Sequence, residues 1–277
     1  MSLEYAPLGL IGLLTPQANT TVEPEMAVMA PPGMAVLNAR LCSDKPDIEA
    51  RLVAYFDGYD AALSQFANAP LTAAGFACTG ASYLAGVARE DAALAAMAAR
   101  AGFPVVTAAT AVVDALTALE ARRIALVSPY FAALDRASEA YWQARGFEVT
   151  TLVSAWRETD AFHPIYSLGA AEAEATLARL RRVPDRAAEA EAAAAGGAAD
   201  PPVHAPFDAV VMLGTGMPTL GPIARTPRLD GAPVLSCMFC LGWRLITAAQ
   251  GRRPDRASLT AFLDDRGWRR RLADMQG

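Results

Sequence analysis

Short apolar runs alternate with Ala-rich stretches of helical periodicity along the whole chain. The apolar runs predict eight strands, at residues 8–14, 34–41, 73–77, 105–107, 123–127, 147–153, 208–213 and 234–236. Helices are predicted for most of the intervals between them. Because strands that alternate with helices typically form parallel sheets, the pattern predicts a doubly wound α/β fold.

The order of these runs is repeated once. In the first half, GFACTGASYLAG is followed, after a helix, by GFPVVTAATAVVDAL; in the second half, FDAVVMLGTGMPTLG is followed by GAPVLSCMFCLGWRL. The repeat predicts two pseudo-symmetric Rossmann-like lobes with parallel sheets. Ligands of open α/β sheets bind beyond the carboxyl ends of the strands, so Cys78 and Gly214 are expected to face one active-site cleft between the lobes.

The same repeat gives the expected domain boundaries. The N-terminal α/β lobe is expected to span residues 1–108 and to be joined by the C-terminal helix, residues 249–277. The C-terminal lobe is expected to span residues 109–248. Within it, residues 184–206 combine an Ala/Glu run with Gly-Gly and Pro-Pro, which predicts a helix end followed by an exposed insertion or linker.

Composition and charge exclude several classes of protein. Hydrophobic residues make up 53% of the chain, but Gly, Pro and charged residues interrupt every run before it reaches membrane-spanning length. The net charge is −5, and the Arg residues are scattered or clustered near the C terminus, so no nucleic-acid footprint is visible. The first apolar run has no basic leader and is interpreted as a buried strand instead of a signal peptide. We therefore expect a cytoplasmic protein without nucleic-acid or membrane partners; a homo-oligomer is compatible with these features.

The four cysteines indicate a reduced environment. Cys42, Cys78, Cys237 and Cys240 are too few and too widely spaced for a disulfide scaffold in a chain of 277 residues. Cys237 and Cys240 have C-x-x-C spacing without a second pair or a nearby His, so we expect buried small residues and no metal site. The chain also has no G-x-G-x-x-G after the first strand, no Walker sequence and no G-x-S-x-G. Nucleotide-binding, zinc-dependent and serine-hydrolase functions therefore have little support in the sequence.

Cys78 is the strongest candidate for a reactive group. It follows the third predicted strand, in the turn ACTGASY. A thiol beside the start of a helix has its thiolate stabilised by the helix dipole and by local N–H groups. Buried free cysteines are commonly inert, but Thr79, Gly80 and Ser82 are suited to an anion-binding nest. We therefore predict that Cys78 is catalytic.

Two further turns at strand ends carry polar side chains. The segment 15–23, TPQANTTVE, precedes a helix that is predicted to start near Glu23. Its amide, hydroxyls and free N–H groups make a carboxylate cradle, although one Thr of the pair is needed merely to cap the helix. Tyr130 follows the fifth strand and is expected to donate from its phenol to a substrate oxygen. His163 and His204 are weaker candidates, because His204 lies in the predicted linker and His163 is placed to cap a helix.

Together these residues resemble the aspartate/glutamate racemase superfamily, and within it the branch of maleate isomerases and arylmalonate decarboxylases. Residues 16–23 are similar to the maleate isomerase opening P-x-x-N-T-T-V-E, whose Asn contacts substrate. Cys78-Thr79 followed by Ser82 matches the first catalytic-cysteine turn, and residues 128–130 match the segment that carries the active-site Tyr. Residues 231–236 and Trp243 match the closing G-x-P-V-[IV]-S-S stretch and its helix.

The resemblance implies two pseudo-symmetric lobes, no cofactor, and cysteine chemistry at one or both faces of a substrate carbon. Racemases use two thiols, and maleate isomerases add one cysteine to the double bond. Arylmalonate decarboxylases use one thiol, which they keep in the second lobe and not in the first, to protonate the enediolate left after carbon dioxide departs. The family's second cysteine aligns with Gly214, which can neither accept nor donate a proton. A symmetrical two-base racemase is therefore not expected. Cys237 and Cys240, one strand away, are candidates to replace the missing thiol.

The resemblance also implies a small dicarboxylate substrate. Asn19 and Thr20 are expected to hold one carboxylate, whereas the other is expected to contact Thr79, Ser82, Thr215 and Gly216. The opening motif favours a maleate cis-trans isomerase and the missing thiol favours an arylmalonate-type decarboxylase, with the isomerase slightly ahead. A non-catalytic carboxylate-binding protein is the third hypothesis.

Three large side chains of the second half have two interpretations. Met217, Phe239 and Trp243 either line an aryl pocket or pack the core. For Trp243 the helical apolar pattern favours the core.

Overall fold

The computed structural model describes residues 3–158, 164–182 and 207–277. His163, His204 and the predicted linker at residues 184–206 lie outside these ranges.

The first sheet has four parallel strands in the order β2-β1-β3-β4. These strands are β1 (Gly9–Pro16), β2 (Met34–Leu41), β3 (Ala73–Phe76) and β4 (Val105–Thr107). The helices between and after them are α1 (Val22–Met29), α2 (Ile48–Asp57), α3 (Tyr59–Ser64), α4 (Thr79–Ala85), α5 (Val87–Ala101) and α6 (Ala108–Ala118). Strands β1 and β3 are almost completely buried, as their apolar sequences require.

The second sheet has the order β6-β5-β7-β9-β8. Its parallel strands are β5 (Arg123–Ser128), β6 (Glu148–Ser154), β7 (Ala209–Met212) and β9 (Ala232–Ser236), and β8 (Arg228–Leu229) pairs antiparallel with β9. The helices of this half are α7 (Ala132–Ala144), α8 (Ala170–Arg179), α9 (Leu220–Arg225), α10 (Cys237–Ala249), α11 (Arg256–Asp264) and α12 (Arg266–Gln276). Short 3₁₀ turns span Pro164–Ser167 and Leu180–Arg182.

The two sheets repeat one topology. In each, the second strand in chain order lies at one side, followed by the first, the third and the fourth parallel strand. Cys78 follows β3 and Gly214 follows β7, so they occupy equivalent positions. The fold class is confirmed, and all eight predicted strands are present with ends shifted by at most two residues. Strand β8 was not predicted, because two residues are too few to show a period.

Large aromatic side chains and the C-terminal helices close the core. Trp243 is 1% exposed and donates from Nε1 to Ser258 Oγ at 3.3 Å, which confirms core packing for this residue. Met217 and Phe239 are also fully buried. Within the described ranges, no helix has both the length and the apolar character that crossing a membrane demands.

The Arg residues near the C terminus bind the ends of other helices. Arg271 donates to Val28 O and Met29 O at the end of α1, at 2.8 and 3.2 Å. Arg269 donates to Ala224 O near the end of α9. Helix α12 therefore fastens elements that belong to both halves of the chain.

Candidate active site

A cavity of about 490 Å³, measured out to its open mouth, lies where the carboxyl ends of the two sheets meet. The turns after β1, β3, β5 and β7 all reach it, through Asn19, Cys78, Tyr130 and Gly214. This is the position that the internal repeat predicts for a ligand site.

Cys78 presents a buried thiol to this cavity. It is the N-terminal cap residue of α4, and its side chain is 4% exposed. Burial raises the pKa of the Cys78 thiol to about 12, against the smaller lowering effect of a hydrogen bond from the Ala81 backbone. The expectation of a stabilised thiolate is therefore wrong, because desolvation outweighs what the start of α4 provides. The Cys78 thiol is therefore protonated at neutral pH.

Tyr130 and Thr79 form a hydroxyl pair across the junction of the two sheets. Tyr130 OH lies 2.7 Å from Thr79 Oγ, and both residues line the cavity. The Ser128 hydroxyl, bonded to the Asp135 carboxylate, accepts from the Tyr130 backbone N–H and so fixes the turn after β5. Burial raises the pKa of Tyr130 well above its ordinary value, so the phenol is protonated. Each hydroxyl has one hydrogen and the bond between them uses one, so the other is left for a ligand or for Tyr83 or Cys237, which Thr79 also contacts.

Asn19 and Thr215 join the first and second lobes beside the cavity. Asn19 Oδ1 accepts from the backbone N–H groups of Thr21 and Val22 at the start of α1, at 2.9 and 3.2 Å. Its Nδ2 donates to Thr215 Oγ at 3.3 Å, and Thr215 Oγ donates to Ala77 O at 2.7 Å. The Thr215 hydrogen is thus committed to the protein, whereas one amide hydrogen of Asn19 is available to a ligand.

Two of the predicted substrate contacts lie elsewhere. Thr20 is exposed and does not line the cavity, whereas its neighbour Thr21 is buried and donates to Gly216 O at 2.8 Å. Ser82 is fully buried in α4, behind the residues that line the cavity. Gly216 does line the cavity, as predicted.

Gly214 leaves the second lobe without a side chain at the position equivalent to Cys78. Its φ is +79°, and a Cβ built on it would lie 2.9 Å from Pro129 Cγ and 3.3 Å from Tyr130 OH. Cys237, at the start of α10, is fully buried, and its thiol is bonded to the Gly214 backbone. Neither Cys237 nor Cys240 is among the described residues that line the cavity.

The wall of the cavity that α2 supplies was not predicted from the sequence. Ile48, Arg51, Leu52 and Tyr55 all line it. They have the spacing i, i+3, i+4 and i+7, which places them on one face of a helix, and this stripe was the available signal. The Arg51 guanidinium donates to Lys45 O, which keeps a buried charge hydrogen-bonded within an otherwise apolar stripe.

A second apolar contribution comes from α7 and from the 3₁₀ turn at Pro164–Ser167. Leu134, Ile165 and Tyr166 line the cavity. Tyr166 lies so close to Gly216 that a Cβ there would be 2.5 Å from Tyr166 Cε1. Met217, Phe239 and Trp243 are not among the described lining residues, so the apolar wall comes from other side chains than those that the sequence suggested.

The fold and the site define a two-lobed α/β protein with a buried thiol at the junction of its lobes. A family model described as arylmalonate decarboxylase matches residues 11–197, more than half of the chain. The chain belongs to the arylmalonate decarboxylase family, within the superfamily branch that the sequence motifs resemble.

Solved structures of enzymes from this branch share the fold. The maleate isomerase Iso from Pseudomonas putida S16 aligns with a TM-score of 0.69 and 21% identity, over 87% of this chain and 92% of its own. The maleate cis-trans isomerase from Nocardia farcinica, bound to TRIS, aligns with a TM-score of 0.63 and 23% identity, over 96% of this chain and 99% of its own. An arylmalonate decarboxylase aligns with a TM-score of 0.65 and 20% identity, over 89% of this chain and 96% of its own. A comparison with curated protein sequences gives no match.

Proposed function

We propose that the protein is a decarboxylase that removes one carboxylate from a malonate with an apolar substituent on C2, and that Cys78 protonates the resulting enediolate. The main support for this proposal is a single buried, neutral thiol that faces the cavity, with glycine at the equivalent position of the other lobe. One thiol can deliver one proton to one face of a carbon. Decarboxylation followed by protonation requires no more than that.

The proposed reaction balances with the groups in the cavity. The bond between C2 and one carboxylate carbon breaks, carbon dioxide leaves, and the electron pair forms an enediolate on the remaining carboxylate. The Cys78 thiol transfers its proton to C2, and the thiolate left behind takes a proton from water. Charge on the enediolate oxygens is stabilised by the remaining hydrogen of the Tyr130 and Thr79 pair and by the free amide hydrogen of Asn19.

The apolar wall supports a malonate that carries a substituent. Ile48, Leu52, Leu134 and Ile165 contribute apolar side chains to the lining of the cavity. Such side chains bind an aryl or branched alkyl group through the hydrophobic effect.

Maleate isomerisation is the second candidate, because Asn19 and the hydroxyl pair would also bind two small carboxylates. It requires a thiolate to add to the double bond. The thiol must therefore lose its proton before the addition, and the described residues that line the cavity include no His, Asp or Glu to take that proton. We therefore place decarboxylation first, the reverse of the order that the sequence motifs favour.

Proton NMR in deuterated buffer distinguishes these candidates. Phenylmalonate and maleate are supplied separately to the protein, to Cys78→Ala and to Cys42→Ala, which alters an exposed cysteine as the matched control. We expect phenylacetate with one deuterium on C2, unchanged in Cys42→Ala and about 10²–10⁴-fold slower in Cys78→Ala. Fumarate formation would instead establish the isomerase. Ligand binding without turnover of either compound would indicate a carboxylate-binding protein.

A further inference from the structure

A buried carboxyl group connects the first lobe to the cavity loop of the second. Glu25, on α1, is 5% exposed, and its Oε1 accepts from the backbone N–H groups of Thr219 and Leu220 at 2.6 and 2.9 Å. Its Oε2 lies 3.4 Å from Thr219 Oγ. Thr219 ends the loop that begins after β7 and carries Gly214, Thr215 and Gly216.

The contact continues into the second sheet. Thr219 Oγ lies 2.7 Å from Ser236 Oγ, and Ser236 caps α10 by accepting from the Phe239 N–H. A chain of buried hydrogen bonds therefore runs from α1 to the carboxyl ends of β7 and β9. Glu25, Thr219 and Ser236 do not line the cavity, so this chain supports the wall from behind.

We propose that Glu25 is a positioning residue that fixes the wall from Gly214 to Gly216 against Cys78, and that its carboxyl does so in the protonated form. Protonated, Oε2–H donates to Thr219 Oγ while Oε1 keeps both backbone N–H bonds. Ionised, the same group is a charge in the core without a cation beside it among the described residues, and the loop must shift to solvate it. The wall then loses its position relative to the thiol.

The environment of Glu25 supports this protonation state. Burial raises the pKa of Glu25 to about 7, and hydrogen bonds from Leu220 and Thr219 offset only part of the effect. The titratable and charged groups nearby are Glu23 on α1, Cys237 and Cys240 on α10, Arg225 on α9, and Arg269 and Arg271 on α12. Glu23 is paired with Arg40, and Arg225 is paired with Glu174. The two α12 guanidinium groups bind backbone carbonyls. None of these groups contributes to the shift in the pKa of Glu25.

The direction of the pH dependence follows. Because the pKa of Glu25 is higher in the folded protein than its ordinary value of 4.5, the folded state binds this proton more tightly than the unfolded chain. The corresponding stability is fully present below pH 4.5 and is lost as the pH rises through about 7.

Two variants of Glu25 test the proposal, with Glu23→Gln as the matched control on the same helix. Glu25→Gln keeps the shape, accepts the same N–H bonds and donates to Thr219 Oγ, but cannot ionise; Glu25→Ala removes all three contacts. Melting temperature and kcat/KM for phenylmalonate are measured from pH 5 to pH 9. For the native protein and Glu23→Gln we expect both quantities to fall through about pH 7. Glu25→Gln should hold its acidic values to higher pH, and Glu25→Ala should lower kcat/KM by about tenfold or more at every pH.

Two results would overturn the proposal. These are a native fall near pH 7 that persists in Glu25→Gln, or a Glu25→Ala protein with native kcat/KM. The turnover readout rests on the proposed function, whereas the melting curves do not. If no malonate is turned over, the proposed function fails while the melting curves of the native protein and Glu25→Gln still decide the role of Glu25. If Glu25→Ala does not fold, the native protein and Glu25→Gln are still sufficient to test the role of Glu25.

Discussion

Gly214 is the residue at which this chain departs most from a two-thiol site. Its φ of +79° is unfavourable for any residue with a Cβ, and that Cβ would press on Pro129 and Tyr130. We expect Gly214→Ala to lower the free energy of unfolding by about 1–3 kcal/mol and to reduce kcat/KM, because the Tyr130 hydroxyl is displaced. Gly214→Cys should behave in the same way and should not create a racemase. Denaturant unfolding and steady-state kinetics measure both effects.

Gly102→Ala is the matched control for this experiment. Gly102 has a φ of +74°, and a Cβ placed on it would meet no atom within 4 Å, so the substitution adds backbone strain without a clash. It should destabilise the protein and leave kcat/KM unchanged. Equal kcat/KM in Gly214→Ala and the native protein would contradict the close packing at Tyr130.

At the residue scale, the sequence predicted which strand-end residues line the cavity better than it predicted the pKa of the Cys78 thiol. Cys78, Tyr130, Asn19 and Gly214 were singled out because each follows a strand, and parallel strands bring their carboxyl ends together. The neutral state of Cys78 was not foreseen, since the desolvation that raises its pKa comes from residues distant in sequence. Thr20 and Thr21 are adjacent and chemically alike, so no sequence pattern showed which one faces inward.

At the scale of elements, strands were easier to predict than the faces of helices. Buried parallel strands are continuous apolar runs, so all eight long enough to show a run were predicted. The stripe from Ile48 to Tyr55 on α2 was missed because an apolar helical face most often packs on the core, and here part of it lines a cavity. Residues 184–206, predicted as a linker, lie outside the described ranges.

Helix α12 gives a prediction at this scale. Arg271 donates to the last carbonyls of α1, groups that have no partner within their own helix. We expect Arg271→Ala to lower the free energy of unfolding by about 0.5–2 kcal/mol in urea, because these carbonyls lose a charged donor. Arg270→Ala, at an exposed neighbour on the same helix, is the control and should have little effect. Equal losses from the two substitutions would show that the clamp on α1 adds no stability.

At the scale of the whole molecule, the two lobes repeat a topology but divide the chemistry. The first supplies Cys78, Thr79 and Asn19, and the second supplies Tyr130 and the loop from Gly214 to Gly216. Hydrogen bonds between Asn19 and Thr215, Thr215 and Ala77, and Thr79 and Tyr130 hold the halves together around the cavity. A symmetrical fold therefore presents an asymmetric cavity, whose described lining residues include a cysteine from the first lobe and none from the second.

That asymmetry is tested most directly with a malonate that carries both an aryl and a methyl group on C2, because its product is chiral. The protein is supplied with this compound in deuterated buffer, and the product is analysed for deuterium on C2 and for its enantiomers. We predict one enantiomer with one deuterium on C2, and little product from Cys78→Ala. A racemic product, or undiminished turnover by Cys78→Ala, would contradict the claim that Cys78 alone protonates one face.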